Sequence, residues 1–129
     1  MDLKNVSVVI PVLNEEKYIE NCLDSLLSQQ YPREHLEILL VDGNSDDNTV
    51  SIIKNYTDRY SFIKLYSNPN KTVQYALNIG IKKAMGEYIV RMDAHAWYAP
   101  DYISKCVEYL QKTGASNVGG PTVVRGNSP

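Results

Sequence analysis

Short apolar runs alternate with amphipathic segments along this 129-residue chain, with few residues between them. Runs at residues 6–10, 38–41, 62–66 and 88–92, and a shorter one at 117–119, predict strands. The segments between them carry apolar residues every three or four positions, the period of a helix packed on one face. Strands separated by helices predict an α/β fold, with a mostly parallel sheet and helices on both faces.

The order of the strands follows from how such units connect. Because crossovers between parallel strands are right-handed, few topologies remain, and we expect a Rossmann-like sheet of spatial order 3-2-1-4. In that order the winding reverses between the first and fourth strands. Ligands of open α/β sheets bind at this reversal, outside the carboxyl ends of the strands.

Single residues predict where helices begin and end. Asn14 can cap the first helix and Thr72 the third, since both side chains accept hydrogen bonds from backbone N–H groups. Gly86 and Gly114 follow the third and fourth helices, where glycine commonly adopts the left-handed conformation that ends a helix.

Composition indicates one globular domain and excludes several classes of protein. A chain that is 43% hydrophobic and 22% charged matches a soluble protein, and a net charge of −2 gives no basic surface for nucleic acid. No apolar run has the length of a membrane span, and the N-terminus has no signal-peptide core. Cys22 and Cys106 fall on apolar helix positions, which favours reduced core residues in a cytoplasmic protein.

Acid and amide side chains gather after the predicted strands. Asn14 and Glu15 follow the first strand, residues 42–47 follow the second, and Asp93 and His95 follow the fourth. Loops are polar in most proteins, but the loops at the opposite edge of this sheet carry fewer acids and amides. We therefore predict a ligand site at the carboxyl edge.

Asp93 and His95 stand two residues apart just past a strand end, so both can face one small volume. A carboxylate and an imidazole suit a divalent cation such as Mn²⁺, which could hold a diphosphate without a glycine-rich loop. The alternative is an Asp that caps a turn beside a surface His.

Missing motifs narrow the ligand further. No G-x-G-x-x-G follows the first strand, no G-x-x-x-x-G-K-[ST] occurs, and no glycine-rich pyrophosphorylase signature lies near the N-terminus. A receiver domain would need an acidic pair directly at the end of the first strand and an Asp after the third, and this sequence has neither. A nucleotide held by carboxylates and amides, with its diphosphate neutralised by a metal, is what remains.

Four ordered motifs resemble glycosyltransferase family 2, which has the GT-A fold. They are VIPVLNE at 9–15, LVDGNSDDNT at 40–49, ALNIGI at 76–81 with GEYI at 86–89, and DAH at 93–95. Residues 92–96 and 117–121 look most like the bacterial exopolysaccharide, succinoglycan-type glucosyltransferases of that family.

The resemblance implies a nucleotide-binding role for the loop after the first strand. Pro11, Val12, Asn14 and Glu15 would line the nucleoside pocket of a UDP-sugar donor.

Three further residues would contact the nucleotide in such a family member. Asp42 aligns with the family residue that accepts a hydrogen bond from uracil, a role that suits an ionised carboxylate. Asn44 and Asn78 are the others. The alternative for Asp42 is that it caps its own turn.

The resemblance places the metal on Asp93 and His95, with Asp93 also on the ribose side. His95 replaces the second Asp of the usual D-x-D triplet, which departs from the common family pattern. Neutral imidazole removes one negative charge beside the diphosphate, and of Mn²⁺ and Mg²⁺ it favours Mn²⁺.

Three further residues near the predicted site each have more than one possible role. Lys71 could meet a phosphate or be a solvated loop residue. Arg91, beside the triplet, could pair with an acid. Trp97 could wall a sugar pocket or be a half-buried core aromatic.

The sequence offers no evident catalytic base for the transfer reaction. Inverting transfer needs a general base, which the family keeps in its acceptor-binding half, and the last acid here is Glu108. We therefore expect residues 1–129 to be a nucleotide-sugar-binding domain, truncated before the acceptor half, that binds donor without turnover. The alternative is a stand-alone nucleotide-binding or scaffold module.

The expected setting is polysaccharide biosynthesis in the cytoplasm, at the inner face of the membrane if regions outside this chain anchor it. The full-length acceptor would be a saccharide or a lipid-linked saccharide. Cutting the sheet near residues 118–124 would expose an apolar strand edge, which predicts a homodimer of this chain.

Overall fold

A computed structural model describes residues 3–70 and 72–114 of the chain. Strands and helices alternate through this part as predicted. In chain order the elements are β1 (Val6–Val12), α1 (Ile19–Leu27), a 3₁₀ turn (Arg33–His35), β2 (Leu36–Asp42), α2 (Thr49–Thr57), β3 (Ile63–Ser67), α3 (Val73–Lys83), β4 (Tyr88–Arg91) and α4 (Tyr102–Thr113).

The four strands form one parallel sheet in the order β3-β2-β1-β4, which confirms the predicted topology. β1 lies in the middle and pairs on both sides, so Val9 is opposite Leu39 of β2 and Arg91 of β4. All the strands therefore end at the same edge, with the winding reversal between β1 and β4.

Helices cover both faces of the sheet. On the larger side, alternate strand residues such as Val8, Ile10 and Leu40 form a core with side chains of α1, α2 and α4. On the other side Val9, Leu39 and Ile89 form a smaller cluster that packs against α3. Burial on both faces explains why the strands read as continuous apolar runs.

Gly80 allows α3 to lie against β1. A Cβ atom built at Gly80 would overlap the Cγ1 methyl group of Val9, which is a stiff, buried side chain. Only a residue without a side chain fits at this crossing, so Gly80 fixes how closely the helix approaches the sheet.

Gly86 does not have the role predicted for it. The last turn of α3 ends at Lys83 and is followed by Ala84 in an extended conformation, so Gly86 is not a left-handed helix terminator. It passes close to β1, where its N–H donates to Ser7 Oγ at 2.8 Å and a Cβ would lie 2.7 Å from Ser7 N. The constraint is tertiary contact, which local sequence signals do not report.

The other predicted helix ends gave mixed results. Thr72 caps α3, since its hydroxyl accepts from the Tyr75 N–H at 3.4 Å, and Gly114 ends α4 with φ of +78°. Asn14 does not cap α1, which begins at Ile19 without a side-chain cap. Asn14 instead has φ of +52°, a conformation that asparagine tolerates.

Cys22 and Cys106 are both buried and form no disulfide in the described part of the chain, as predicted. No helix within these ranges is long and apolar enough to cross a membrane. The predicted fifth strand, the strand edge proposed for the homodimer and Lys71 all lie outside the described residues.

We expect Gly80→Ala to lower the free energy of unfolding by up to about 2 kcal/mol. Overpacking against Val9 costs about 1–3 kcal/mol, and the better helix propensity of alanine returns about 1 kcal/mol. Urea unfolding followed by circular dichroism measures the change. Adding Val9→Ala makes room for the new methyl group, so the double variant should be less destabilised than the sum of the single ones, whereas strictly additive values would contradict the proposed contact.

Candidate functional site

A cleft opens at the carboxyl ends of β1 and β4. Pro11, Val12 and Glu15 line it from the β1 side, and Asp93 and His95 from the β4 side. Its volume of about 170 Å³ is below the ~300–1,000 Å³ of pockets that enclose a drug-sized ligand. It can therefore hold only part of a larger ligand, and the rest would lie across the open edge of the sheet.

The first turns of α3 form one wall of the cleft. Val73 and Ala76 line it together with Pro11, whereas the side chain of Val12 packs into the larger core on the other face of the sheet. The start of the helix is held by Asn68, which is fully buried and donates from Nδ2 to the Thr72 carbonyl at 2.9 Å. Two apolar walls held by rigid elements form a slot suited to a flat ring.

Hydrogen bonds join the loop after β1 to the loop after β2. The N–H of Asn14 donates to Ser45 Oγ at 2.8 Å, and Asn14 Oδ1 accepts from the Asp46 N–H at 2.8 Å. The N–H of Glu15 donates to the hydroxyl of Thr49, which is fully buried at the start of α2. Asn14 thus links the two loops, and Glu15 is held at the rim of the cleft.

The carboxylate of Asp42 accepts hydrogen bonds within its own turn. Its Oδ2 accepts from the N–H groups of Asn44 and Ser45, each at 3.1 Å, and its Oδ1 accepts from the Ser45 hydroxyl at 2.5 Å. Strand alternation puts Asp42 on the same face as Leu40, away from α3, and Asp42 does not line the cleft. These are the contacts of a turn-capping residue, and contact with uracil stays a prediction.

Asp93 is held through its backbone. Its N–H donates to the hydroxyl of Tyr98 at 2.7 Å, and its carbonyl accepts from the Cys22 thiol at 3.4 Å. Within residues 3–70 and 72–114, no hydrogen bond or ion pair engages its carboxylate. Asp93 lines the cleft, and its carboxylate is left without a partner among the described residues.

Burial keeps both groups that hold Asp93 protonated. Burial raises the pKa of the Cys22 thiol to about 12, and the charges of Asp93 and Glu15 push it in the same direction. Burial also raises the pKa of the Tyr98 hydroxyl above its usual range. The two groups therefore stay neutral at physiological pH and serve as fixed hydrogen-bonding partners rather than reactive ones.

His95 is paired with Glu15 across the cleft. Its Nδ1 lies 3.4 Å from Glu15 Oε2, and its ring meets Tyr18 edge-on at 6.4 Å between centroids. The side chain is 61% exposed, so it can reach a ligand without leaving this position.

The donor set fits an ion that shares its shell with a ligand. No group of three His, Cys, Asp or Glu side chains in the described ranges is close enough to form a metal site by itself. Asp93, His95 and Glu15 nevertheless line one cleft and supply carboxylate and imidazole donors, and phosphate oxygens could complete the coordination.

The sequence did not predict that Arg91 would have a buried nitrogen without a hydrogen-bond partner in the described part of the chain. It is the last residue of β4 and lines the cleft, and its Nε is buried with no hydrogen-bond partner among the described residues. No ion pair joins it to an acid there, although pairing was one role open to it. The sequence feature that could have indicated this is a charged residue at the end of an otherwise apolar, buried strand.

The structure brings some predicted site residues together and leaves others outside. Asn44 lies in the exposed turn after β2 with φ of +70°. Asn78 lies on the exposed face of α3, where its Oδ1 accepts from Gln74 Nε2 at 3.1 Å. Trp97 is 67% exposed, so it is not a half-buried core aromatic.

A second cavity, at the opposite edge of the sheet, has its polar groups already engaged. It is lined by His35 and Glu37, among others. Glu37 accepts from the Ser7 hydroxyl at 2.6 Å and the Met85 N–H at 2.7 Å, and His35 Nδ1 lies 2.8 Å from Asn5 Oδ1. These contacts tie the loop after α3 to the sheet and leave little for a ligand.

The sequence matches the model of the family described as Glycosyl transferase family 2 over residues 7–129. It is 40% identical over 109 residues to a dolichyl N-acetyl-α-D-glucosaminyl phosphate 3-β-D-2,3-diacetamido-2,3-dideoxy-β-D-glucuronosyltransferase of Methanococcus voltae. That alignment covers 83% of this chain and 34% of the relative. The chain therefore spans about a third of the length of this curated relative.

Solved structures share the fold. The mannosyltransferase PcManGT of Pyrobaculum calidifontis, solved with GDP-Man and Mn²⁺, superposes with a TM-score of 0.79 at 32% identity, covering 84% of this chain and 33% of that one. TarS 1-349 of S. aureus, solved with UDP-GlcNAc, gives 0.74 at 25% identity, covering 84% and 31%. The predicted GT-A fold and the predicted family resemblance are confirmed.

We expect both thiols of the native chain to resist labelling by a disulfide reagent at pH 8. Burial raises the pKa of Cys22 to about 12 and that of Cys106 to about 11, so the reactive thiolates are scarce, and the rate should rise as pH approaches these values. Labelling in urea should be at least about 100-fold faster than in the native state. Rapid reaction of Cys22 in the folded protein would mean that its thiol is exposed and that its hydrogen bond to the Asp93 carbonyl is broken.

Proposed function

Because the chain belongs to glycosyl transferase family 2, we propose that its cleft binds a nucleotide-sugar donor, specifically a UDP-sugar. In its full-length form the protein would transfer that sugar, with inversion, to a saccharide or lipid-linked acceptor in polysaccharide biosynthesis. The observation that carries the proposal is the cleft itself, in which an apolar slot meets Asp93, His95 and Glu15 at the carboxyl edge of the sheet.

The slot between β1 and α3 suits the nucleoside. Pro11 on one side and Val73 and Ala76 on the other can pack on the faces of a ring, and Val12 would contribute its backbone to the same cleft. Asn14 has a positioning role here, because its hydrogen bonds hold the loop to the turn after β2. Aromatic bases bury most of their area on their faces, so this packing supplies affinity and polar neighbours supply selectivity.

Asp42 lies outside the cleft, so it would select the base where the base extends past the slot to the turn after β2. Its carboxylate has room for about four hydrogen bonds and its turn uses three, so one acceptor position remains for a uracil N–H. Asn44 in the same turn and Asn78 on α3 would add contacts once the donor lies across the edge. The GDP-Man bound to PcManGT makes guanine the competing base to test.

A divalent metal, Mn²⁺ in preference to Mg²⁺, would be held by Asp93 and His95 with Glu15 beside them. When bound it would neutralise the diphosphate, which is the leaving group of the reaction. If His95 donates from Nδ1 to Glu15, its Nε2 is the unprotonated nitrogen that can ligate, and the acid fixes the ring orientation. Mn²⁺ accompanies the GDP-Man in the PcManGT structure.

The described residues supply donor binding, and a base for the acceptor is not assigned among them. Glu15 and Asp93 belong to the donor and metal side of the cleft. We therefore propose a single nucleotide-sugar-binding domain that binds donor and does not turn it over. The proposed location is the cytoplasm, with membrane association through other regions. Transfer of sugar by these 129 residues would contradict this assignment of roles.

Calorimetric titration with UDP and GDP, each with and without Mn²⁺, tests the proposed function. We expect UDP to bind more tightly with Mn²⁺ than without it, and more tightly than GDP. Absence of UDP binding under every condition would overturn the proposal, and would favour a scaffold module with no nucleotide site.

We expect His95→Ala to remove most of the gain in UDP affinity that Mn²⁺ provides, because one of two proposed protein ligands is lost. The matched control is His35→Ala, which removes the only other histidine, at the opposite edge of the sheet. Calorimetry should show a normal Mn²⁺ effect in the control. An equal Mn²⁺ effect in both variants would rule out His95 as a ligand.

We expect Asp42→Asn to weaken UDP binding by about one to two orders of magnitude, because a hydrogen bond to a charged group contributes roughly 1.5–3 kcal/mol. Asparagine keeps one oxygen for the N–H groups of the turn, so the fold should survive, which thermal unfolding checks. Asp46→Ala, an exposed acid of the same loop, is the control. If Asp42→Asn binds UDP as the parent does, Asp42 serves only its turn.

A further inference from the structure

Arg91 is a charged side chain placed where a buried strand meets the cleft. It lies on β4 directly opposite Val9 of β1, and strand alternation puts it on the same face as Ile89, under α3. The residue is half-buried and its Nε is shielded from solvent. Arg91 is one of the residues that line the donor cleft.

The buried Nε of Arg91 has no hydrogen-bond partner among the described residues. Arginine stays protonated at all physiological pH values, and burying its N–H groups without an acceptor is unfavourable. Two acids line the same cleft, but Glu15 faces His95, and neither it nor Asp93 forms an ion pair with Arg91 in the described part of the chain. A buried donor left unpaired in a cleft is explained if a ligand supplies the acceptor.

We propose that Arg91 binds a pair of anionic oxygens on the donor, an inference that rests on the proposed function. The guanidinium is a planar fork that matches two oxygens of a phosphate or a carboxylate. The oxygens could belong to the diphosphate or to the carboxylate of a uronic acid sugar. In either position Arg91 offsets the negative charge that Glu15 and Asp93 add to a cleft for an anionic ligand.

A ligand-binding role of Arg91 can be distinguished from a structural role by the stability of the protein when Arg91 is replaced. A structural arginine contributes hydrogen bonds that its loss would remove, and Arg91 Nε has none among the described residues. Arg91→Met keeps the length of the apolar stem and removes the unpaired donor. The melting temperature of Arg91→Met without ligand should therefore equal or exceed that of the parent, while donor binding falls.

Calorimetry in the presence of Mn²⁺ with uridine, UDP, UDP-glucose and UDP-glucuronic acid tests the proposal. Arg91→Met should weaken binding of at least one anionic donor about tenfold or more and leave uridine unchanged. A loss shared by UDP, UDP-glucose and UDP-glucuronic acid assigns the diphosphate. A loss confined to UDP-glucuronic acid assigns the sugar carboxylate. Arg91→Lys, which keeps the charge without the fork, should bind between the parent and Arg91→Met.

Arg59→Met is the matched control, because Arg59 is exposed at the end of α2 and does not line the cleft. Unchanged affinity of Arg91→Met for UDP, UDP-glucose and UDP-glucuronic acid, or an equal loss for uridine and UDP, would overturn the proposal. A lower melting temperature of Arg91→Met with normal donor binding by Arg91→Lys would also overturn it. Failure of the parent to bind UDP would instead defeat the proposed function, and this inference with it.

Discussion

The parallel pairing of β1 with β2 on one side and with β4 on the other is the constraint on which the rest of the structure depends. It sends the loops after the three strands to one edge, and it puts the winding reversal where β1 meets β4. Gly80 then lets α3 lie close against β1, so the first turns of that helix become a wall beside the loop after β1. The cleft is a consequence of strand order and helix contact, and needs no insertion or additional domain.

Side chains within this frame divide the cleft into regions of different chemistry. Val73, Ala76 and Pro11 make an apolar slot, while Asp93, His95 and Glu15 provide acid and imidazole donors. Tyr98 and Cys22, both held neutral by burial, fix the backbone of Asp93 and leave its carboxylate to the cleft. Family membership makes the chain a glycosyltransferase family 2 domain, and this division of the cleft is what supports a nucleotide-sugar as its ligand.

The sequence predicted what depends on local pattern and on general topology. The four strands, their order, the Thr72 cap and the Gly114 terminator all follow from periodicity, capping chemistry and right-handed crossovers. Glu15, Asp93 and His95 were found because the carboxyl ends of parallel strands meet, and Pro11 and Val12 because of the resemblance to the family. Asn14 and Gly86 were misjudged because distant partners, Asp46 and Ser7, determine their roles. The pairing of His95 with Glu15 and the unpaired Nε of Arg91 could not be predicted for the same reason, since both depend on side chains far apart in sequence.

In the proposed complex the diphosphate and its metal lie in the cleft at the carboxyl edge of the sheet. Paramagnetic broadening of the amide resonances of the isotope-labelled chain by Mn²⁺ with UDP, compared with Mg²⁺ and UDP, locates the ion directly. We expect strong broadening at Glu15, Asp93 and His95, and much weaker broadening at His35, Glu37 and Gly86 at the opposite edge. Broadening centred on His35 and Glu37, or spread evenly over the chain, would contradict this placement.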